Sequence, residues 1–143
     1  MTFMCSLVVA AGLSVSPLPS PSAHSAVDIL LFHTPLADFV AIADDPTHDV
    51  RLDWTTDGCS APILESTGRS FDFYSSCRRH DFGYRNLLRM EGGRHWTQTI
   101  RLRIDRLFRR DMRASCTNKI FLMRVQCLSW AETYYRTVRA FGK

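Results

Sequence analysis

The chain of 143 residues is almost without lysine: sixteen of its eighteen basic residues are arginine. Residues 1–25 contain no charged side chain, so the basic stretch that often precedes an export signal is missing. No stretch reaches the roughly 18 consecutive apolar residues that a transmembrane helix needs. No internal repeat is present, which excludes a solenoid or propeller array. No Cys-x-x-Cys pair occurs and the histidines are not spaced as metal partners, which argues against a structural zinc site. No serine stands out as an activated nucleophile, so nothing points to a covalent acyl intermediate.

What is present suits one globular domain. The length fits a single unit, the hydrophobic fraction is 45% and the charged fraction 22%. The formal net charge of +4 is unevenly spread. Residues 26–72 hold nine acids and two bases, a net −7, whereas residues 73–143 hold sixteen bases and five acids, a net +11. Guanidinium groups form planar forks that match phosphate and carboxylate. The basic half therefore suggests an anionic partner: a phosphate headgroup, an anionic lipid surface or nucleic acid. The plainer reading is a solvated helix face whose arginine stems lie along apolar surface.

Residues 3–15 are largely apolar, and Pro17, Pro19 and Pro21 follow. Ala23-His24-Ser25 places small residues where a signal peptidase reads. Residues 1–25 are thus expected to be a signal peptide, residues 26–52 an N-terminal helical or propeptide-like segment, and residues 53–143 the main domain; the alternative is a hydrophobic anchor that stays attached. Removing Cys5 with the leader leaves Cys59, Cys77, Cys116 and Cys127. Four cysteines in a short exported chain imply two disulfides with three possible connectivities. Cys59–Cys77 with Cys116–Cys127 is favoured, because each bond would close a loop beside a helix.

The expected fold is all-α. Within residues 26–46, Pro35 starts or breaks one of one or two short helices, and Asp45-Pro46 reads as a turn. Residues 55–70 read as loop. Phe73, Cys77, Asp81, Tyr84 and Leu88 recur at spacings of three and four, predicting a helix over 71–90. Glu91-Gly92-Gly93 ends it. A second helix is predicted over 96–114 on the stripe Ile100, Ile104, Leu107, Phe108 and Met112, and a third over about 121–141. The short Gly-Gly connection favours antiparallel packing of the first two.

The chemistry-bearing stretch is Cys77-Arg78-Arg79-His80-Asp81-Phe82-Gly83-Tyr84-Arg85-Asn86. On a helix His80 and Asp81 point roughly 100° apart and can serve distinct tasks. A Cys59–Cys77 bond would bring the Asp57-Gly58 loop to this turn. Calcium takes hard oxygen ligands from carboxylates and backbone carbonyls. Asp57, the Gly58 carbonyl and Asp81 are the candidate ligands, leaving His80 free for acid–base work. A histidine base works best with an acceptor on its second ring nitrogen. Asp105 lies within the apolar stripe of the second helix, where an acid needs a partner. Positions 80 and 105 have their midpoint at 92.5, inside the Gly-Gly loop, so antiparallel packing brings them level. Taken singly each residue has a plainer reading: a structural histidine, an Asp105 paired with Arg101 or Arg109, a simple turn at Asp57-Gly58, a core Tyr84.

Residues 53–143 resemble the secreted phospholipases A2 of bacteria and fungi. The resemblance rests on Asp53-Trp54-Thr55-Thr56-Asp57-Gly58-Cys59, then Cys77-x-x-His80-Asp81-Phe82-Gly83-Tyr84-Arg85-Asn86. It continues through Arg103-Ile104-Asp105, Asp111-Met112, Cys116, Trp130-Ala131, Tyr134-Tyr135 and Phe141-Gly142. It implies a small bundle dominated by two long antiparallel helices, with a calcium loop and two disulfides at these four cysteines. It implies His80 as general base, Asp105 as its orienting carboxylate, and Asp57, Gly58 and Asp81 as calcium ligands, with N–H groups of the Gly58 loop assisting. The expected reaction is hydrolysis of the sn-2 ester of glycerophospholipids by a secreted monomer acting on membrane or micelle surfaces, without nucleic acid. The competing reading is a catalytically weak protein of the same fold that binds membranes or a receptor. Residues 62–73 depart from the family pattern, carrying Glu65, Ser66, Thr67, Gly68 and Arg69 where Pro-Asp-Asn-Pro and Phe-Gly-Phe elements are expected.

Overall fold

A computed structural model of the chain describes residues 21–59 and 71–142. The regular elements among the described residues are all helical, with no strand among them. Helix α1 (Ala23–Asp28) runs into a π-helical turn (Ile29–His33), and α2 (Leu36–Asp44) follows. The long helices are α3 (Tyr74–Arg89), α4 (Gln98–Ser115) and α5 (Phe121–Phe141). A 3-10 turn (Met90–Gly93) lies between α3 and α4. Among the described residues no helix is long and apolar enough to cross a membrane.

Local chemistry sets the boundaries. The Ser22 hydroxyl accepts the Ser25 N–H at 3.1 Å and caps α1. Pro35, with its fixed φ, stands at the start of α2. Asp45 closes that helix in a turn where its carboxylate accepts the Thr47 N–H at 2.7 Å. Thr97 caps α4 by accepting the Ile100 N–H at 3.1 Å. Glu91 and Gly92 adopt left-handed conformations at φ 50° and 67°, which turns the chain back on itself. α3 starts three residues later, and α4 two residues later, than the periodicity predicts: Asp72 holds the Tyr74 N–H in a turn before α3, and Thr97 caps α4.

The long helices divide two cores. Val27, Leu31, Phe39, Ala43 and Leu52 supply five of the nine buried side chains in one; Phe82 and Leu87 of α3 and Ile104 and Leu107 of α4 supply the rest. Phe73, Cys77, Phe108, Met112, Cys116, Cys127 and Ala131 form the second, against α5. Residues 26–52 therefore share a core with the helices that follow. The leader lies outside the described residues up to residue 20, and the expected cleavage point after Ser25 falls inside α1. Close packing of the first core needs Gly83. A Cβ there would meet Leu31 at 3.1 Å and Ile104 at 3.3 Å.

The disulfides join Cys59 to Cys77 and Cys116 to Cys127, with Cα separations of 5.4 and 5.7 Å. The first ties the 53–59 loop to α3; the second ties the end of α4 to α5. A buried ion pair adds a further tie. The Arg79 guanidinium donates to Asp111 Oδ2 at 3.0 and 2.5 Å and to the Thr34 carbonyl at 2.6 Å, linking α3, α4 and the segment before α2.

Candidate active site

Antiparallel packing of α3 and α4 sets His80 Nε2 2.8 Å from Asp105 Oδ1. Asp105 is fully buried and His80 nearly so. The imidazole lies between two rings, with centroids 4.4 Å from Tyr84 and 4.6 Å from Phe108. Its Nδ1 has no hydrogen-bond partner among the described residues.

Asp105 gathers three further groups. The Tyr84 hydroxyl donates to Oδ1 at 2.8 Å, and Arg139 of α5 donates to Oδ2 at 2.6 Å. Arg101, one turn earlier on α4, reaches 3.9 Å from Oδ2, donates to the Tyr84 oxygen at 3.2 Å, and holds the carbonyls of Val138 and Arg139. Burial opposes ionisation of Asp105, yet hydrogen bonds from His80, Arg139 and Tyr84 outweigh it and hold its pKa below 3.8. Asp105 is therefore a carboxylate that accepts the Nε2 proton of His80, and this tautomer leaves the Nδ1 lone pair free. Tyr84 moves the other way: burial and its bond to Asp105 keep the phenol protonated far above the ordinary range.

The second half of the site is a loop laid antiparallel along α3. Asn86 accepts the Asp53 N–H at 2.8 Å and donates to the Asp53 carbonyl at 2.9 Å. Arg85 reaches Thr55 Oγ1 at 3.1 Å. Asp81 Oδ2 accepts the Thr56 hydroxyl at 2.6 Å and the Asp57 N–H at 3.1 Å. Cys59 is bonded to Cys77. Gly58 and Cys59 are both left-handed, at φ 68° and 67°.

Each expected site residue has a place in this frame. Asp81 faces the loop one residue beyond His80. Asp57 meets Asp81 through its backbone N–H, and its largely exposed carboxylate lies 3.5 Å from Arg85. The Gly58 N–H donates to Thr56 Oγ1 at 3.0 Å, so assisting a developing oxyanion there requires that bond to be exchanged. Among the described residues no three side chains of the metal-binding types cluster. The donors that these residues could offer, two carboxylates and loop carbonyls, are all oxygen, which is the chemistry that suits a hard divalent cation completing its shell with water. A cleft of about 1040 Å³ lined by Trp54, Arg85, Asn86 and Arg89 does not include His80 or Asp105.

Sequence reasoning passed over Arg139, Thr56 and the loop-clamping roles of Arg85 and Asn86. The registry that aligned positions 80 and 105 also aligns 84 with 101, so the Tyr84–Arg101 contact was open to the same argument. Arg139 carried no such signal, because the register of α5 on α4 is not set by a tight turn.

Comparison with known proteins gives this geometry a family context. Residues 27–142 match the family described as prokaryotic phospholipase A2. A secretory phospholipase A2 of Beauveria bassiana (strain ARSEF 2860) is 38% identical over 136 residues, covering 95% of this chain and 67% of the relative. A secretory phospholipase A2 of Arthroderma benhamiae (strain ATCC MYA-4681 / CBS 112371) is 32% identical over 146 residues, covering 96% of this chain and 95% of the relative.

Proposed function

The chain belongs to the prokaryotic phospholipase A2 family and is an enzyme of that class, and we propose that it is a secreted, calcium-dependent hydrolase of the sn-2 ester of glycerophospholipids. The observation that carries the proposal is the buried His80–Asp105 pair at 2.8 Å, with Asp81 turned to an oxygen-rich loop one residue away. Secretion is supported by the names of both relatives and by two disulfides, which persist in oxidising compartments.

In this reading His80 Nδ1 takes a proton from water as the water oxygen attacks the ester carbonyl. Asp105 holds the ring and offsets the charge of the imidazolium. Tyr84 and Arg139 fix both oxygens of Asp105, so the ring keeps one orientation. As the tetrahedral adduct collapses, the imidazolium returns its proton to the departing glycerol oxygen, which leaves a fatty acid and a lysophospholipid. Asp57, Asp81 and the Gly58 carbonyl would hold calcium. That ion, when bound, supplies polarisation of the ester carbonyl and offsets the charge its oxygen gains.

Fatty-acid release from phosphatidylcholine labelled at sn-2, with millimolar calcium and then with chelator, tests the reaction and the metal together. Calcium-dependent release is expected. His80→Ala should lower turnover by about 100-fold or more while calcium binding and helix content persist. Comparable release by that variant, or release from sn-1, would overturn the assignment.

A further inference from the structure

The end of α4, the connection over 116–120 and the first turns of α5 make one end of the bundle. There Ile120, Phe121 and Leu122 are 76%, 78% and 72% exposed, with Met123 and Val125 also open to solvent. Large apolar side chains so concentrated cost free energy in water and mark an interaction surface. The Cys116–Cys127 bond, both cysteines being fully buried, staples this tip to the second core. The tip therefore cannot fold back to bury its own apolar groups without breaking that core.

Charge narrows the choice of partner. From Met112 to Ala131 the chain has no acidic residue. Arg113, Lys119 and Arg124 lie in this stretch, and none of them is ion-paired among the described residues. Elsewhere the arginines are extensively paired: Arg78 with Asp44, Arg89 with Asp53, Arg109 with Glu132. Resting on the phospholipase reading, we propose that this tip is the surface by which the enzyme docks onto an anionic phospholipid layer. Phe121 and Leu122 enter the acyl boundary while Lys119, Arg124 and Arg113 meet the phosphates. An apolar surface whose own stretch of chain carries bases and no acid fits a layer of negative headgroups over hydrocarbon; a second copy of the chain would bring the same bases against one another. Helix α3 begins at the end where α4 finishes. Its first residue, Tyr74, is half exposed and packs beside Gly58, 3.2 Å from where a Cβ would stand. Docking at this end thus brings the 53–59 loop to the lipid layer.

The test uses the full disulfide-bonded chain and a variant carrying Phe121→Ser and Leu122→Ser. Binding to phosphatidylglycerol vesicles and to phosphatidylcholine vesicles is measured by co-sedimentation in chelator, so that no lipid turns over. Hydrolysis of a short-chain phosphatidylcholine below its micelle concentration is measured separately with calcium. The wild type is expected to bind phosphatidylglycerol vesicles more tightly, and the variant to lose at least about tenfold in affinity with unchanged hydrolysis of the monomeric lipid. Equal vesicle binding by the two proteins overturns the proposal. So does a wild-type dimer that the substitutions convert to a monomer, which assigns the surface to a second copy. Absence of monomer hydrolysis by the wild type counts against the phospholipase reading instead, and the vesicle comparison still decides the surface. Phe121→Trp provides a check that does not depend on loss of binding: its added fluorescence should be quenched by brominated acyl chains, and the absence of quenching overturns the proposal.

Discussion

Asp105 is held by four side chains, those of His80, Tyr84, Arg101 and Arg139. Its neighbours set its ionisation, and its ionisation sets the tautomer of His80. Because its folded pKa lies below 3.8, the stability it contributes is complete above that value and is lost as the pH falls through the lower, folded one. Asp105→Asn should therefore cost most near neutral pH. Its difference in urea midpoint from the wild type should close as the pH falls from neutral through the lowered pKa; a constant difference would contradict this electrostatic account. Asp111 runs the other way. Burial outweighs its pair with Arg79 and raises its pKa, so ionising it costs the folded state some stability as the pH rises from 3.8 through the raised value, and the bonds from Arg79 offset part of that cost. Arg139 is the group that sequence reasoning could not assign, and it makes a separable prediction. Its cation sits on the oxygen of Asp105 that His80 does not use, and so helps to fix the carboxylate that orients the ring. With Arg139→Met, loss of that charge-assisted bond should lower stability by about 1.5–3 kcal/mol, and kcat should fall while KM changes little. A loss of stability with unchanged kcat would reduce Arg139 to a structural tie.

At the scale of elements, the two long helices and their pairing were legible because periodicity and a tight glycine turn are local signals. Helix α5 occupies the span its apolar pattern predicts, 121–141. The clamping of the 53–59 loop was not legible in the same way. Asp81, Arg85, Asn86 and Arg89 occupy successive turns of one face of α3, but a face of polar residues looks like solvent exposure until its partner strand of backbone is known. The clamp predicts a division of labour. Asn86→Leu removes three hydrogen bonds, to the Asp53 N–H and to the carbonyls of Asp53 and Phe82, far from His80. It should raise the calcium concentration needed for half-maximal release more than it lowers the maximal rate, as a calcium titration of activity would show. Gly83 illustrates a conflict between scales. Alanine is the better helix former by about 1 kcal/mol, but its methyl would press on Leu31 and Ile104 at 3.1 and 3.3 Å. Overpacking of that kind costs about 1–3 kcal/mol, so Gly83→Ala should lower the urea midpoint.

For the molecule as a whole, four acids of the first half pair with four bases of the second. Asp28 faces Arg103, Asp44 pairs with Arg78, Asp53 with Arg89 and Asp57 with Arg85. The charge imbalance that first suggested an external anion is thus partly an internal complementarity, and the bases left over are the informative ones. The same logic applies to residues 26–52. They carry no catalytic motif, so the resemblance read from the sequence began at residue 53, whereas the family match begins at residue 27. Short packing helices need only an apolar face, and such a face leaves little trace in one sequence. Val27, Leu31 and Phe39 are each at most 1% exposed and lie against Phe82, Leu87 and Ile104. At about 1.5–3 kcal/mol for each buried large side chain, these three alone approach the whole stability of a small domain, about 5–15 kcal/mol. A chain beginning at Asp53 should therefore fail to fold cooperatively even with both disulfides intact. It would show weak near-ultraviolet dichroism and no sharp urea transition, while a chain beginning at Ala26 keeps both. If the shorter chain instead unfolds cooperatively and releases fatty acid, residues 26–52 are a removable propeptide and the first core is dispensable.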